Sequence, residues 1–449
     1  MKKNLPILSR FSLLLALTTT LGSAWQPSRH SMPLKRPAVP LCVLAVANDD
    51  DDVPVPLSQL SLTLDELAAS LGGRGRAQAC WECYRLGVDP VWLNDGDAHS
   101  GQEEESGHGG LLNTQGWTRE RLRTMVKATQ MGKGPLQHLA QFAPVDSTTL
   151  AHVSRSHDGT TKLLLTLKGG LQVETVIIPW DDRQRSTLCI SSQVGCRQAC
   201  VFCATGRMGL LKSLTSDEIL SQVYWANKVC RLRGIVPVDN VVFMGMGEPA
   251  DNVLHVVRAA HQLVDPRLFA LSAKRVTIST VAPTPRAFLD LARAPAVLAW
   301  SVHATNAAKR NMLVPTTRYS MQELREGFLV ALRDRSRSLK STMLEVTLLN
   351  GINDSEDDAL DLVEFCKPMI AEVPKLVVNL IPWNNIGAST GWAKEFQQPS
   401  RERIEAYQQV LTNHGVLCYI RTTRGDDEGS ACGQLATRTS RKKLQTGTP

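Results

Sequence analysis

The sequence predicts an α/β protein built as a partial, open βα barrel, with a small helical domain ahead of it. Three observations predict this. Short apolar segments at 188–191, 241–244, 275–280, 296–302, 343–348 and 376–381 alternate with helical patterns, a series of βα units that implies a parallel sheet. Residues 60–150 are instead mostly helical in pattern. Polar and glycine-rich stretches follow the strand candidates, at the C-terminal strand ends where such sheets carry their chemistry.

The bulk composition leaves room for one large domain and a smaller one: 449 residues, 43% hydrophobic and 21% charged. No stretch approaches the roughly 20 apolar residues of a membrane span, so no membrane association is expected of the mature form. A formal net charge of +7 invites a nucleic-acid reading. Six of the 50 basic residues (Lys2, Lys3, Arg10, Arg29, Lys35, Arg36) lie in 1–47, which has no acid, and the rest nearly balance the 43 acidic residues. An RNA-binding surface must therefore come from local clustering. The chain is too long for its eleven cysteines to be a small disulfide scaffold, and their clustering favours metal or redox chemistry in a reducing compartment.

Residues 1–24 read as a signal peptide, with Lys2 and Lys3, a short apolar core from Phe11 to Leu21, and a small-residue cleavage site at Gly22-Ser23-Ala24. Residues 25–47 are acid-free and transit-like. That order, with Trp25 at the junction, resembles the two-part presequence of algae with complex plastids and points to the plastid; the mitochondrion or the cytoplasm is the alternative. Residues 48–59 hold the run Asp49 to Asp52 and read as an acidic linker.

The helical domain spans 60–150. Leu62, Leu64, Leu67, Ala68 and Leu71 recur at helical spacing, and Gly72-Gly73 ends that helix. A second helix from Ala77 to Leu86 carries Cys80 and Cys83, a pair with no partner pair nearby, for which core packing is the reading. Residues 95–113, rich in Gly, Glu, His and Ser, read as a flexible insertion, and Trp117 to Ala140 is helical again. Residues 151–186 form a connection with a β-hairpin: Leu163 to Leu167, a Lys168-Gly169-Gly170 turn, and Val173 to Ile178. The core spans 187–436. Its first helix begins at Thr215 with a capping box to Glu218 and buries Ile219, Val223, Ala226 and Cys230. Residues 437–449 are a basic tail, with Arg438, Arg441, Lys442 and Lys443 as phosphate-contacting candidates.

Chemistry concentrates at the strand ends. Cys196, Cys200 and Cys203 are spaced C-x3-C-x2-C, close enough to ligate one metal centre. An iron–sulfur cluster held by only three cysteines keeps one iron free for another ligand. Cys189 is either a buried strand cysteine or a fourth ligand. After the second strand comes Gly245-Met246-Gly247-Glu248-Pro249, where two glycines allow close backbone approach to a ligand and Glu248 offers oxygen to a cationic amine. Ser279-Thr280, Ser301-Val302-His303 and Ile381-Pro382-Trp383-Asn384 end later strands, and Asn384 has both donor and acceptor for a purine edge or ribose. Cys432 lies in the polar loop Arg424 to Leu435, where a reactive thiol belongs.

Cys196-x3-Cys200-x-Phe202-Cys203 resembles the cluster-binding loop of radical S-adenosylmethionine (SAM) enzymes. Further matches narrow the resemblance: Thr187 to Cys196, Gly245 to Pro249, Val276 to Thr280, Asn379 to Asn384, Thr423 to Asp427, and Ala431-Cys432-Gly433-Gln434-Leu435. In that order they are similar to the RlmN/Cfr family of RNA (adenine) methyltransferases, most like RlmN, over about 170–436; the helical domain fits the family more loosely. The resemblance implies a barrel of the radical SAM type and two SAM per methyl transferred. It implies a 4Fe–4S cluster on Cys196, Cys200 and Cys203, with SAM contacts from Gly247, Glu248, Ser279, Ser301, Val302, His303 and Asn384. One SAM methylates Cys432. A second is cleaved to a 5′-deoxyadenosyl radical, which takes hydrogen from the methylated Cys432, and the resulting radical adds to an adenine carbon. Cys189 then forms a transient disulfide with Cys432, and Glu174 is the proton acceptor.

An aromatic ring carbon has no lone pair to attack SAM, so a radical route needs a low-potential electron source and a thiol carrier. Release of the product through a second thiol is disulfide chemistry. The resemblance implies carbon-2 methylation of adenine in large-subunit ribosomal RNA, with tRNA beside the anticodon as a further substrate. It also implies a monomer served by an electron donor such as flavodoxin or ferredoxin. The rival activity is Cfr-like methylation of carbon 8. A rival of another class is a non-catalytic RNA-binding protein with a structural metal. The chain departs from the family where Ser279-Thr280-Val281-Ala282 replaces Ser-Thr-Ser-Gly, where Ser301-Val302-His303 replaces Ser-Leu-His, and in having two extra residues between Pro179 and Cys189.

Overall fold

A computed structural model describes residues 45–48, 51–56, 58–94, 114–126, 132–140, 147–387 and 394–437. Among them, no helix is long and apolar enough to cross a membrane. The presequence before residue 45, the insertion 95–113 and the basic tail beyond Thr437 lie outside the described residues. The last residues of the expected transit-like segment (Ala45–Ala47) and part of the expected acidic linker instead form a two-stranded antiparallel ribbon, β1 (Ala45–Asn48) with β2 (Asp51–Pro56).

Among the described residues, five helices form the N-terminal region: α1 (Leu64–Leu71), α2 (Arg74–Arg85), α3 (Pro90–Asn94), α4 (Arg119–Met125) and α5 (Lys133–Ala140). Thr63 and Glu66 close a capping box at the start of α1, and Gly72, at φ +70°, ends it. Cys80 and Cys83 are buried among the core side chains and form no disulfide, with Trp81 edge-on to Tyr84. Core packing is thus their observed role.

The main body is a ten-stranded sheet in the order β14-β13-β12-β11-β10-β9-β6-β5-β4-β3. Its antiparallel part is β3 (Thr148–Arg155), β4 (Thr161–Leu167) and β5 (Gln172–Trp180), joined through β6 (Arg185–Cys189) to the parallel part. The next segments are the short strands β7 (Gln193–Cys196) and β8 (Gly209–Ser213), which pair as a separate ribbon, and α6 (Ser216–Arg233). Then follow β9 (Val238–Phe243), α7 (Val253–Val264), β10 (Val276–Thr280), α8 (Pro285–Leu291), β11 (Val297–Ser301), α9 (Ala307–Leu313) and α10 (Met321–Arg333). The chain finishes with β12 (Thr342–Leu348), α11 (Glu356–Glu372), β13 (Leu376–Pro382), α12 (Arg401–Asn413) and β14 (Cys418–Ile420). The two edge strands, β14 and β3, do not pair with each other, so the sheet stays open.

All six expected parallel strands are present as β6, β9, β10, β11, β12 and β13. The hairpin is present as β4 and β5, with Leu165 opposite Val173. It is part of the main sheet and not merely a connection. Among the described residues, six strands escape sequence reading (β1, β2, β3, β7, β8 and β14), three of them for evident physical reasons. A bulge between Leu150 and His152 breaks the alternation of β3, which begins inside the range assigned to the helical domain. β7 is buried throughout, and β14 has only three residues, too short for either to express a period.

Helix α6 begins at the expected Thr215–Glu218 capping box and buries Ile219, Val223, Ala226 and Cys230. Its Trp225 donates to the Thr148 carbonyl at 3.3 Å, tying the helix to β3. On the other side of the core, Trp300 packs edge-on against Phe288 and Phe328. Burying one such ring fully is worth about 3 kcal/mol.

Candidate active site

The cysteine loop is fixed from three sides. Cys196 closes β7, opposite Gly209 of β8. Further along, Val201 N–H donates to Leu313 O at 3.1 Å, and the Trp383 indole donates to Phe202 O at 3.1 Å. The loop carrying Cys432 packs directly on it: Ala204 N–H donates to Gly433 O at 2.7 Å and the Thr205 hydroxyl to Leu435 O at 2.6 Å. Two loops far apart in sequence thus share one hydrogen-bonded wall.

The Cys432 loop is also held by the antiparallel strands. Arg424 donates to Asp158 at 2.8 Å, and Gly425 N–H donates to the same carboxylate at 3.0 Å. Lys162 of β4 donates to Glu428 O at 2.7 Å. Strands β3 to β5 therefore position the thiol.

Between the walls lies a cavity of about 350 Å³, within the range of small-molecule and cofactor sites. Its lining includes Cys189, Cys196, Cys200, Cys203, Gly247, Glu248, Ser279, Ser301, His303, Asn384 and Cys432. Two sequence-predicted site residues are not on its walls. Val302 is fully buried, donates its N–H to Glu345 O at 2.9 Å, and accepts from Arg310 through its carbonyl. Glu174 lies on the cavity face of β5, two residues before the lining Val176, but its carboxylate accepts from Ala436 N–H at 2.9 Å and sits 3.3 Å from Lys162 Nζ.

Gly245 and Gly247 make a close approach, but to protein. A Cβ on Gly245 would lie 2.7 Å from Ile190 O, and one on Gly247, at φ +100°, 2.7 Å from Gln193 N. The two glycines let the strand-end turn pack on the segment leading to the cysteines. Glu248 is buried and accepts from Thr280 Oγ1 (2.5 Å), Val281 N–H (3.0 Å) and Ala250 N–H (2.9 Å). Burial pushes its carboxyl up to about 7, against the pull of those three donors.

His303 combines a structural and a lining role. It has a left-handed backbone (φ +57°), its Nδ1 accepts from Thr347 N–H at 3.2 Å, and its ring meets Phe202 edge-on with centroids 4.6 Å apart. Burial, with the nearby Arg310 charge, holds the imidazole well below its ordinary range, so it is neutral. Ala282 stands where the resembling family has glycine, and it adopts φ +56°. Thr280 Oγ1 accepts its N–H at 2.8 Å, so the turn keeps its shape without the glycine.

Sequence reading missed three charged residues here. Glu345, buried in β12, lies 3.6 Å from Arg421, and both line the cavity. A lone acid inside the apolar strand Met343-Leu344-Glu345-Val346 was the available signal. Arg310 is buried and donates to the carbonyls of Ser301 (2.8 Å), Val302 (2.7 Å) and Val281 (2.5 Å). It clamps the ends of β10 and β11, a role no local pattern announces.

Cys189 and Cys432 are both free thiols. Burial pushes Cys189 up to about 12; Cys432 opens to the cavity, yet the surrounding walls raise it too. The Arg421 guanidinium opposes the shift of both. Cys196 and Cys200 are raised by burial as free thiols. Among the described residues, no three His, Cys, Asp or Glu are grouped to hold a single metal ion. A multi-iron cluster takes its thiolates on separate irons, so ligands spaced around one end of a cavity fit it better than converged ones. The rest of the cavity offers polar groups and apolar walls for a second, organic cofactor.

Residues 190–363 match the family model described as the radical SAM superfamily. A radical SAM methyltransferase from Sphaerobacter thermophilus superposes with a TM-score of 0.68 at 31% identity, covering 85% of this chain and 99% of that one. A domain of a pyruvate-formate lyase-activating enzyme from Bacteroides vulgatus aligns over 41% of this chain and 99% of its own at 16% identity, with a TM-score of 0.31. A 4Fe–4S cluster and SAM are the cofactors of this superfamily, and the cavity with its three loop cysteines accommodates them. Identity, coverage and the match around the cysteines agree: this chain belongs to the radical SAM methyltransferases.

Proposed function

We propose that the protein methylates carbon 2 of adenine in large-subunit ribosomal RNA, extending to tRNA beside the anticodon, by relaying the methyl group through Cys432. The observation that carries this reading is the sharing of one cavity by Cys189, Cys432 and the three loop cysteines. A methylase acting directly from SAM has no need of two further thiols there.

Cys196, Cys200 and Cys203 would hold the cluster, which together with SAM would supply a hydrogen-abstracting carbon radical. Glu248, with Gly247 beside it, would hold the SAM amino group; Ser279, Ser301 and His303 line the same cavity, and Val302 is buried beside His303. Asn384 fixes the carbonyl of Cys432. Cys432 accepts the methyl group on sulfur and presents it to the base. Glu174 would take the ring proton, and the Cys189 thiolate would attack the Cys432 sulfur, the S–S bond forming as the S–CH2 bond breaks and the released carbon takes up a proton to become the product methyl. Outside reduction of that disulfide restores both thiols. The protein acts in the plastid after loss of its presequence.

The test uses anaerobically reconstituted protein and a transcript of its organelle's large ribosomal RNA. Cys432→Ala should block methyl transfer, and Cys189→Ala should trap an RNA–protein adduct at Cys432. Mass spectrometry of the digested RNA separates 2-methyladenosine from the 8-methyl isomer. Methylation that survives Cys432→Ala would sink the relay.

A further inference from the structure

A second hollow, of about 420 Å³, is lined in part by Arg197 and Gln198 of the cysteine loop. Its lining and that of the Cys432 cavity have a single residue in common, Gln198. Gln198 stands between Cys196 and Cys200, held by Asp251 at 2.6 Å and by Thr316 at 2.5 Å. Gln198, within the Cys196–Cys200 turn, is therefore where the linings of the two hollows meet.

The charge of this hollow is layered. Its acids lie low: the Asp251 side chain is 3% exposed and that of Asp290 33%. Its bases point out: Arg197 is 62% exposed and Arg286 84% exposed, although each is ion-paired to one of those acids. Arg318 is exposed and has no acidic partner among the described residues. Tyr319, 43% exposed, adds an aromatic surface beside it. An approaching molecule meets guanidinium groups and a phenol ring, the residue types that anchor protein interfaces.

We propose that this hollow docks an acidic, low-potential one-electron carrier protein, which reduces the cluster through the Cys196–Cys200 turn. The proposal rests on the radical SAM reading and adds the site where its electron enters. One electron passes from the reduced centre of the carrier to the cluster; the carrier is oxidised by one electron, the cluster is reduced by one, and no bond or proton moves. Such transfer requires close approach to the iron and no access to the reacting atoms. RNA has the opposite need, since its base must reach Cys432 in the other cavity, so the separation of the two hollows favours the carrier over RNA. A basic rim facing an acidic carrier also speeds encounter and makes binding salt-sensitive.

The test is anaerobic calorimetric titration of the reconstituted enzyme with a plant-type ferredoxin, at low and high salt. Arg286→Glu/Arg318→Glu should weaken binding about tenfold or more, whereas Arg286→Lys/Arg318→Lys should retain most of it. SAM cleavage driven by dithionite should be unchanged in the Glu variant, while cleavage driven by ferredoxin falls. Ferredoxin affinity unaltered in the Glu variant would overturn the proposal. So would loss of RNA affinity with ferredoxin affinity intact, which would assign the hollow to RNA. Dithionite-driven cleavage by the unsubstituted enzyme reads the radical SAM chemistry separately, so failure there would be distinguishable from failure of docking.

Discussion

The side-chain amide of Asn384 donates to the main-chain carbonyl of Cys432 at 3.0 Å, while its oxygen accepts from the Thr423 hydroxyl at 2.9 Å. Asn384 follows β13, and Cys432 sits in the loop after β14. One side chain thus ties a strand end to the loop of Cys432, the proposed methyl carrier, leaving one N–H and one lone pair for a ligand. Asn384→Ala should lower methyl loading of Cys432 at least tenfold, because a thiol shifted by an ångström no longer lines up with its methyl donor. The stability cost should be only about 1 kcal/mol. Intact-mass measurement of Cys432 methylation and a urea midpoint separate the two effects. Equal methyl loading in the variant would show the contact to be incidental.

Glu248 should make SAM binding depend on pH. Its carboxyl, ordinarily near 4.5, is pushed up to about 7 by burial. Below that value it is neutral and gives the SAM ammonium no counter-charge, so affinity should fall as pH drops through about 7. The folding linkage runs the other way for the unliganded protein. Between 4.5 and about 7 the unfolded chain has lost this proton and the native state keeps it, so this group's contribution to stability declines as pH rises through that window, by roughly 3 kcal/mol. Glu248→Gln should flatten both profiles. SAM affinity in the Gln variant that still tracks pH through this window would exclude Glu248 as the source.

Arg310 should matter for stability out of proportion to its position on a short helix. Its guanidinium, pulled down to about 10 by burial, serves three carbonyls from two strand ends. Arg310→Met leaves those carbonyls without a donor in a dry site and should cost about 3–5 kcal/mol. A chemical-denaturation midpoint within error of the unsubstituted protein would contradict this.

Ala282 carries a left-handed backbone that glycine adopts without strain. Ala282→Gly should relieve about 1 kcal/mol of strain and return part of it through a more flexible unfolded chain. The net change should be neutral or slightly stabilising, with SAM binding retained. A marked loss of stability would mean that the Ala282 methyl packs favourably enough to outweigh its backbone.

The parallel strands were legible because each is an apolar run bounded by polar turns, and burial of such runs needs no long-range information. The loop cysteines were legible because a cluster demands thiolates at short spacing. Glu345, Arg310 and Arg421 were not, since each gains its role only from groups on other elements. The glycines of Gly245-Met246-Gly247 were identified as close-approach positions, but what they approach, the backbone of Ile190 and Gln193, depends on how two loops stack.

By itself, then, the chain's sequence determined the order of its βα units, the helix start at Thr215, the packing role of Cys80 and Cys83, and the residue types at the strand ends, because period, capping and ligand spacing are local properties. The tertiary structure alone decided that strands β3 to β5 extend the same sheet and hold the Cys432 loop through Asp158 and Lys162, that Cys189 and Cys432 open on one cavity, and that a basic hollow backs the Cys196–Cys200 turn. Those relationships join residues hundreds of positions apart. They exist only once hydrophobic burial has assembled the open sheet and brought the strand ends to a common rim.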